Sequence, residues 1–486
     1  MARESLNLKR PDLLREDCFI GGEWVGGDVR IDVTNPATGG VLASVPKFGT
    51  LETREAIKHA YAAMPGWAAK TAKERSVVMR RWYDLMMANV DDLAAIMTAE
   101  QGKPLAESRT EIAYAAGFIE WFAEEGKRVY GDVIPSHRTD TRIVVIKQGI
   151  GVTAAITPWN FPAAMITRKA GPALAAGCAQ VIKPATATPL SALALCVLAE
   201  EAGFPKGLIS CVTGSAAAIA KEFTDNPLVQ KISFTGSTEI GKQLMAACSA
   251  QVKKVSLELG GNAPFIVFDD GDLDAAVQGA LASKFRNAGQ TCVCSNRLYA
   301  QATVYDAFVE KLSVAVRALK VGNGVGGDID VGPMIDIGAV EKVEAHIADA
   351  TSKGAKVVVG GKRSPMGGSF FEPTVMTGVT ADMLVAREET FGPLAPVFKF
   401  ETEAEVIHAA NDTEFGLASY FYARDIGRIW RVSEALEYGI VGINTGIIST
   451  EVAPFGGVKE SGLGREGSKY GIEDYLEVKY LCMGGI

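Results

Sequence analysis

Residues 231–261 read KISFTGSTEIGKQLMAACSAQVKKVSLELGG, and this stretch decides the fold. A β-branched and aromatic run at 231–235 predicts a strand, the apolar residues of 238–250 follow helical spacing, and 253–257 predicts a second strand. A helix between two such strands is the unit that builds a parallel sheet. The sequence therefore predicts helices packed on a parallel sheet.

The same alternation extends outward from this unit. From residue 151, strands are predicted at 152–156, 179–182 and 208–212, and the helices between them at 168–177, 189–202 and 216–223. A second series begins at Ala263, with an amphipathic helix at 303–319 and strands at 356–359, 395–400, 418–422 and 440–444. We expect two doubly wound α/β domains.

The two ends of the chain show a different pattern of predicted helices and strands. The first 130 residues are predicted to be mostly helical, with helices at 51–68, 73–89 and 104–127. A β-branched run at 142–147 and the tail at 475–481 each predict a strand outside the main core. A smaller strand-based appendage therefore accompanies the two domains.

The composition excludes several classes of protein. The 486 residues are 48% hydrophobic and 22% charged, and a net charge of −8 disfavours general binding of nucleic acid or anionic membranes. Prolines and cations interrupt the apolar stretch 150–182, which a membrane span would not tolerate. The eight cysteines lack disulfide or metal-ligand spacing and the N-terminus lacks a signal peptide, so we expect a cytoplasmic protein without a metal site.

A glycine-serine turn follows the strand at 231–235 and opens a helix. The backbone N–H groups of Gly236 and Ser237 are placed to meet the phosphate of a dinucleotide. Two alternatives remain: a helix simply capped by Ser237, and a phosphoryl-transfer loop in which Gln243 replaces the residue that would bind Mg²⁺. Glycines at 322–327 also match a dinucleotide pattern, but a helix precedes them, so we expect no phosphate contact there.

Two residues are candidates for chemistry. Glu258 lies between two leucines at the end of a predicted strand, where desolvation would raise its pKa toward that of a general base. A solvated strand-end carboxylate is the alternative. Cys292 leaves a predicted helix through a glycine turn beside polar residues, which suits a nucleophile, although most cysteines are inert core residues.

Together with five further motifs, these two blocks resemble the aldehyde dehydrogenase superfamily over essentially the whole chain. The further motifs are PWNFP at 158–162, KPA at 183–185, FTGS at 234–237, ETFGP at 389–393 and PFGG at 454–457. Several independent motifs in the family's order make the resemblance specific. The joint retention of Cys292, Glu258, Asn160 and Lys183 argues against a non-catalytic relative.

The resemblance implies a two-step oxidation of an aldehyde. The Cys292 thiolate attacks the aldehyde carbon, the Asn160 amide and the Cys292 N–H hold the oxyanion, hydride leaves to a nicotinamide, and Glu258 activates the water that hydrolyses the thioester. No metal is required. The residues expected to bind the dinucleotide are Thr157, Trp159, Lys183, Ala185, Thr186, Gly236, Ser237, Leu259, Glu389 and Phe391.

The resemblance also implies how the chain is divided. We expect a dinucleotide-binding domain of 1–127 and 148–260, a catalytic domain of 261–460, and an oligomerisation arm of 128–147 and 461–486. A homodimer or homotetramer is expected, in which the strand near 142–147 pairs with the tail strand of a partner subunit.

Position 186 bears on the choice of cofactor. Thr186 stands three residues after Lys183, where a Glu in this family tends to bond the adenosine ribose and repel a 2′-phosphate. A small hydroxyl removes that repulsion, so we expect NADP rather than NAD.

Three residues bear on the substrate. Arg168, Arg286 and Ser449 together resemble the carboxylate clamp of succinate-semialdehyde dehydrogenases, and the Gly-rich tail at 462–471 is similar to theirs. We therefore expect oxidation of succinate semialdehyde to succinate, as in 4-aminobutyrate breakdown. Thr450 stands where many relatives have Asn, and glutarate semialdehyde or a broader range of aldehydes is the alternative.

Cys294 lies two residues after the candidate nucleophile. Core packing is the simpler interpretation of this thiol. A reversible disulfide with Cys292, which would silence the enzyme under oxidation, is the alternative.

Overall fold

The computed structural model describes residues 3–486, and its first part contains strands as well as helices. The elements are β1 (Cys18–Ile20), β2 (Glu23–Val25), β3 (Arg30–Thr34), β4 (Val41–Pro46), α1 (Thr50–Ala68), α2 (Ala72–Ala88), α3 (Val90–Gln101), α4 (Leu105–Glu125), β5 (Asp132–Ile134) and β6 (Thr141–Gly149). The prediction of a mostly helical start is wrong for 18–46. Strands of three to six residues are too short to show a period, and β1 is held by a distant partner, Cys211, opposite Phe19.

The next part alternates strand and helix as the sequence predicts. Its elements are β7 (Val152–Ile156), α5 (Ala164–Ala175), β8 (Ala179–Lys183), α6 (Leu190–Ala202), β9 (Ile209–Cys211), α7 (Ala216–Asp225), β10 (Val229–Thr235), α8 (Thr238–Cys248) and β11 (Lys254–Glu258). Both α7 and α8 begin after a serine whose hydroxyl accepts a backbone N–H of the first turn, which is the usual N-cap.

The second series is longer and more mixed. It contains β12 (Ala263–Val267), α9 (Leu273–Lys284), β13 (Ser295–Gln301), α10 (Tyr305–Arg317), α11 (Ile337–Ser352), β14 (Lys356–Val359), β15 (Thr374–Thr377), α12 (Leu384–Arg387), β16 (Leu394–Phe400), α13 (Glu403–Asn411), β17 (Phe415–Gly416), β18 (Ala418–Tyr422), α14 (Ile426–Ala435), β19 (Ile440–Ile443), β20 (Val458–Lys459), β21 (Gly462–Leu463) and β22 (Leu476–Gly484). Strand β13 escaped prediction because Ser295, Asn296 and Arg297 are polar although buried.

Two large sheets contain most of the strands, which confirms the predicted α/β class. The first has the order β2-β1-β9-β8-β7-β10-β11-β21, with parallel pairing from β9 through β11. The second has the order β14-β15-β16-β13-β12-β18-β19, and it is parallel from β15 through β19. Separate hydrophobic cores lie on the two sheets. The carboxyl ends of β10 and β11 in the first sheet and the amino ends of β12 and β13 in the second border the region where the chain passes from one sheet to the other.

The appendage is a three-stranded antiparallel sheet in the order β22-β6-β5. The expected pairing of the tail with 142–147 occurs, but within one chain and not between two subunits, with Leu476 opposite Gly149 and Gly484 opposite Thr141. The chain can make this contact itself because the 3-10 turn Glu473–Tyr475 directs it back along β6. None of the helices within residues 3–486 is long and apolar enough to cross a membrane.

Candidate active site

The site gathers the loops that follow β7 and β11 with the turn that precedes β13. Glu258 is the last residue of β11, opposite Thr235 of β10. Cys292 follows a tight turn in which Asn287 and Ala288 both adopt left-handed backbone, at φ 52° and 54°. Such conformations are costly and persist only where the surroundings impose them. The turn ends the helical segment and directs the Cys292 thiol into a cavity.

This cavity has a volume of about 790 Å³ and brings four predicted residues together. Cys292, Arg168, Arg286 and Ser449 all line it, although they come from three separate parts of the sequence. Aromatic rings complete the wall, with the guanidinium of Arg168 lying 4.0 Å from the ring centre of Phe455. The cavity therefore combines a thiol with a mostly apolar lining and with three cationic and three acidic side chains, and its two arginines suit the carboxylate of a small organic anion.

Asn160 is held in place through both its side-chain amide and its backbone carbonyl. Its Nδ2 donates to the carbonyl of Gln290 (3.0 Å), which occupies one of its two hydrogens. The backbone carbonyl of Asn160 accepts from Lys103 Nζ (2.7 Å) and from Asn287 Nδ2 (3.1 Å). One amide hydrogen remains for a ligand oxygen, which is the requirement for an oxyanion donor.

A buried ion pair supports this loop from below. Lys103 is paired with Glu111, and each side chain is only 1% exposed. The other oxygen of Glu111 accepts the N–H groups of Ala163 (3.0 Å) and Ala164 (3.3 Å), at the start of α5. One carboxylate thus ties helices α4 and α5 to the Asn160 loop.

Burial dominates the electrostatics of the reacting groups. It raises the pKa of Glu258 to about 8, with a further contribution from Glu466, and neither oxygen of Glu258 has a hydrogen-bond partner among residues 3–486. Burial also raises the pKa of the Cys292 thiol to about 12, assisted by the nearby carboxylates of Glu389 and Glu258. These effects oppose ionisation of the thiol before ligands bind.

Each arginine of the cavity has an acidic neighbour. Arg168 Nε lies 2.9 Å from Glu466 Oε2, and its Nη2 has no hydrogen-bond partner within the described residues. Glu466 also pairs with Lys169. Glu107 lines the cavity with Arg286, and burial raises the pKa of this carboxyl to about 7 against the opposing effects of Lys103 and Arg286.

Most residues predicted to hold a dinucleotide lie around the ends of β7, β8, β10 and β11. The Ser237 hydroxyl caps α8, whereas the Gly236 N–H is already bonded to the Glu258 carbonyl (3.0 Å). Leu259 is buried against Gly241, where a Cβ would lie 2.4 Å from it. Ala185 follows β8 half-buried and Thr186 is exposed beside it.

The other residues predicted to bind the dinucleotide have unused polar atoms or pack on one another. Lys183 Nζ donates only to the adjacent Pro184 carbonyl (2.9 Å), and the buried Thr157 Oγ1 has no partner among residues 3–486. The rings of Trp159 and Phe391 meet edge to face with centroids 5.5 Å apart. Oε1 of Glu389 accepts from the Gly261 N–H (3.2 Å).

Sequence reasoning missed the charged residues in and next to the cavity wall: Lys103, Glu107, Glu111, Lys169 and Glu466. A signal existed for two of them, because Glu107 and Glu111 are four residues apart in a predicted helix and therefore share a face. Lys169 stands in an apolar stretch, where a cation needs a partner. Nothing local pointed to Glu466.

Cys294 is buried, and its Sγ lies 3.7 Å from the Lys284 carbonyl. The disulfide with Cys292 stays a prediction. The glycines of 322–327 lie in the loop between α10 and α11. Across residues 3–486, no group of three or more His, Cys, Asp or Glu side chains is arranged to hold a metal ion.

Comparison with known proteins identifies the family. The model of the aldehyde dehydrogenase family matches residues 24–481. The chain is 67% identical to a glutarate-semialdehyde dehydrogenase of Pseudomonas aeruginosa, covering 99% of this chain and 100% of that one. It is 66% identical to the NADP-dependent succinate-semialdehyde dehydrogenase of Escherichia coli, with 99% and 100% covered. An aldehyde dehydrogenase crystal structure from Brucella melitensis biovar abortus superposes with a TM-score of 0.98 at 63% identity, covering 99% and 100% of the two chains.

The family match extends over nearly the whole length of the chain, and the cavity contains the thiol of Cys292. The chain therefore belongs to the aldehyde dehydrogenase family and is an oxidoreductase.

Proposed function

We propose that the enzyme oxidises succinate semialdehyde to succinate with NADP. The observation that carries this proposal is the cavity, in which Cys292 shares one space with Arg168, Arg286 and Ser449. An aldehyde with a carboxylate at its far end matches both ends of that space. Binding the carboxylate holds the aldehyde carbon near the thiol, and such positioning accounts for a large part of an enzymatic rate.

Cys292 is the proposed nucleophile. Its Sγ forms a bond to the aldehyde carbon as the thiol proton passes to solvent, and the carbonyl oxygen takes up the negative charge. The free hydrogen of the Asn160 amide and the Cys292 N–H are the proposed donors to that oxygen. Loss of hydride from the same carbon leaves a thioester on Cys292.

Glu258 is the proposed base for the second step. With a pKa of about 8, its carboxylate takes a proton from water more readily than an ordinary glutamate. The hydroxide equivalent adds to the thioester carbon, the carbon–sulfur bond breaks, and the Cys292 thiolate is released with the carboxylate product. Neither Glu258 oxygen has a hydrogen-bond partner within residues 3–486, so both are available to water.

The residues around β7, β8 and β10 fit NADP. Lys183 and Thr157 have unused hydrogen-bonding capacity beside an exposed threonine, Thr186, which offers no carboxylate against a 2′-phosphate. Lys183 and Glu389 are proposed to bind the two riboses and Phe391 to hold the nicotinamide. NADP, when bound, supplies the acceptor for the hydride. The name of the Escherichia coli relative supports the same choice.

Glutarate semialdehyde is the alternative substrate. One methylene changes binding by about 1–3 kcal/mol, and a cavity of about 790 Å³ has room for either chain length. The two curated relatives, at 67% and 66% identity, carry the two different substrate names. We propose a homodimer or homotetramer in the cytoplasm, a reducing setting that the eight unpaired cysteines fit.

The test is the rate of reduced-nicotinamide formation with succinate semialdehyde, glutarate semialdehyde and butanal, each with NADP and with NAD. We expect the four-carbon acid aldehyde with NADP to give the highest kcat/KM and butanal a far lower one. The Cys292→Ser variant is the negative control. Equal kcat/KM values for butanal and succinate semialdehyde would contradict the carboxylate clamp.

A further inference from the structure

Helix α11 presents a row of polar side chains to one loop of the site. Lys342, His346 and Asp349 are four and three residues apart, so they lie on one face of the helix. Asp349 accepts from the N–H of Leu384 (2.7 Å), at the start of α12. The same row continues toward the loop that carries Glu389.

His346 contacts both neighbours of Glu389. The Nδ1 atom lies 3.1 Å from Thr390 Oγ1, and the Nε2 atom lies 3.4 Å from Glu388 Oε2. An ionised carboxylate can only accept, so Nε2 carries the proton and Nδ1 accepts from the Thr390 hydroxyl. One neutral imidazole therefore satisfies both contacts, and burial, which lowers the pKa of His346, favours this form.

The loop needs such support because its backbone is strained. Phe391 has a left-handed backbone at φ 53°, which is unfavourable for a residue with a side chain. Lys342 Nζ donates to the backbone carbonyl of Glu389 (2.6 Å). Thr390 is 2% exposed and His346 equally so, so their contact is shielded from water.

We propose that His346 is a positioning residue for the cofactor, because it fixes through Thr390 the loop that carries Glu389 and Phe391. This inference rests on the proposed function, in which those two side chains hold the nicotinamide end of NADP. Thr390 is the more important contact, since Glu388 is exposed and its distance to the ring is longer.

The test measures cofactor binding without turnover. NADPH is titrated by fluorescence into the full-length parent and the variants His346→Ala, His346→Asn and Thr390→Val. We expect His346→Ala to raise the Kd for NADPH roughly 5- to 30-fold, which is the loss of affinity expected when one or two contacts are removed. His346→Asn, whose amide oxygen can still accept from Thr390, is expected to recover much of the loss.

Steady-state kinetics separates positioning from general damage. The KM for NADP should rise with the Kd, while the KM for succinate semialdehyde should stay within roughly twofold, because the clamp lies elsewhere. The His346→Ala/Thr390→Val double variant should bind NADPH no more weakly than either single variant, since both remove the same contact. His408→Ala, which replaces an exposed histidine of α13, is the matched control and should bind like the parent.

Three results would overturn the inference. They are a Kd for His346→Ala equal to that of the parent, additive losses in the double variant, and a lower melting temperature of the cofactor-free protein with unchanged NADPH affinity. If His346→Ala does not fold, Thr390→Val takes its place as the variant that removes the contact, and His346→Asn stays the variant that keeps it. A parent that binds neither NADPH nor NADH would refute the proposed function itself, and this inference with it.

Discussion

Lys103 and Asn160 are joined by a hydrogen bond of 2.7 Å from the buried ammonium to the backbone carbonyl. The two residues are 57 positions apart, on different elements, and the bond aligns the loop whose amide is the proposed oxyanion donor. Because the Lys103–Glu111 pair is almost fully buried, each charge depends on the other. Breaking the pair should therefore affect both stability and catalysis.

The first prediction concerns this ion pair. Lys103→Met leaves the Glu111 carboxylate buried without its cation, and we expect the free energy of unfolding to fall by about 3–5 kcal/mol in urea denaturation. Adding Glu111→Gln to Lys103→Met should restore part of the lost free energy of unfolding, because an amide carries no charge. The Lys311→Met control, which removes the cation of an exposed pair with Asp274, should cause no measurable change. An unaltered urea midpoint for Lys103→Met would contradict the argument.

The second prediction concerns the clamp. Arg286→Ala should reduce kcat/KM for succinate semialdehyde by the equivalent of about 2–5 kcal/mol, because the substrate carboxylate would lose a charged hydrogen-bonding partner. The same variant should change kcat/KM for butanal little. Arg317→Ala, on the exposed face of α10, is the control. Equal losses on both aldehydes would show that Arg286 has a structural role instead.

The third prediction concerns pH. Burial raises the pKa of Glu258 to about 8, and a general base works only when ionised, so kcat should rise with pH through a midpoint near 8. Glu258→Gln should abolish this rise and slow turnover by roughly 10²- to 10⁴-fold. The measurement is the pH profile of kcat for succinate semialdehyde with saturating NADP. A variant that kept the same profile would show that another group titrates.

The fourth prediction concerns the cofactor. Thr186→Glu places a carboxylate where a 2′-phosphate is proposed to lie, and we expect the ratio of kcat/KM for NADP to that for NAD to fall roughly tenfold or more. Thr186→Gln is the matched control, because glutamine has the size of glutamate without its charge. The NADP to NAD ratio of this variant should change less than that of Thr186→Glu. If the glutamate variant kept the parent's ratio, the argument from position 186 would fail.

Local pattern predicted much of the fold. The strands β7, β8, β10 and β11 and the helices between them lie within a few residues of their predicted bounds, because apolar periodicity is written in consecutive residues. The short strands of 18–46 escaped prediction because three to six residues show no clear period, and β13 escaped it because it begins with buried polar residues. The tail strand was expected at the right place, but its pairing with β6 in the same chain depends on a turn that periodicity does not reveal.

The candidate site likewise has one part that the sequence predicted and another that it did not. The sequence by itself determined the reactive residue types, since Cys292, Glu258 and Asn160 stand in motifs that can be read in order along the chain. Only the tertiary structure decided their surroundings. Glu466 meets Lys169 across 297 residues, and Lys103 reaches Asn160 across 57. Contacts of that kind, and the burial that shifts the pKa values of Glu258 and Cys292, exist only after distant segments pack together and exclude water.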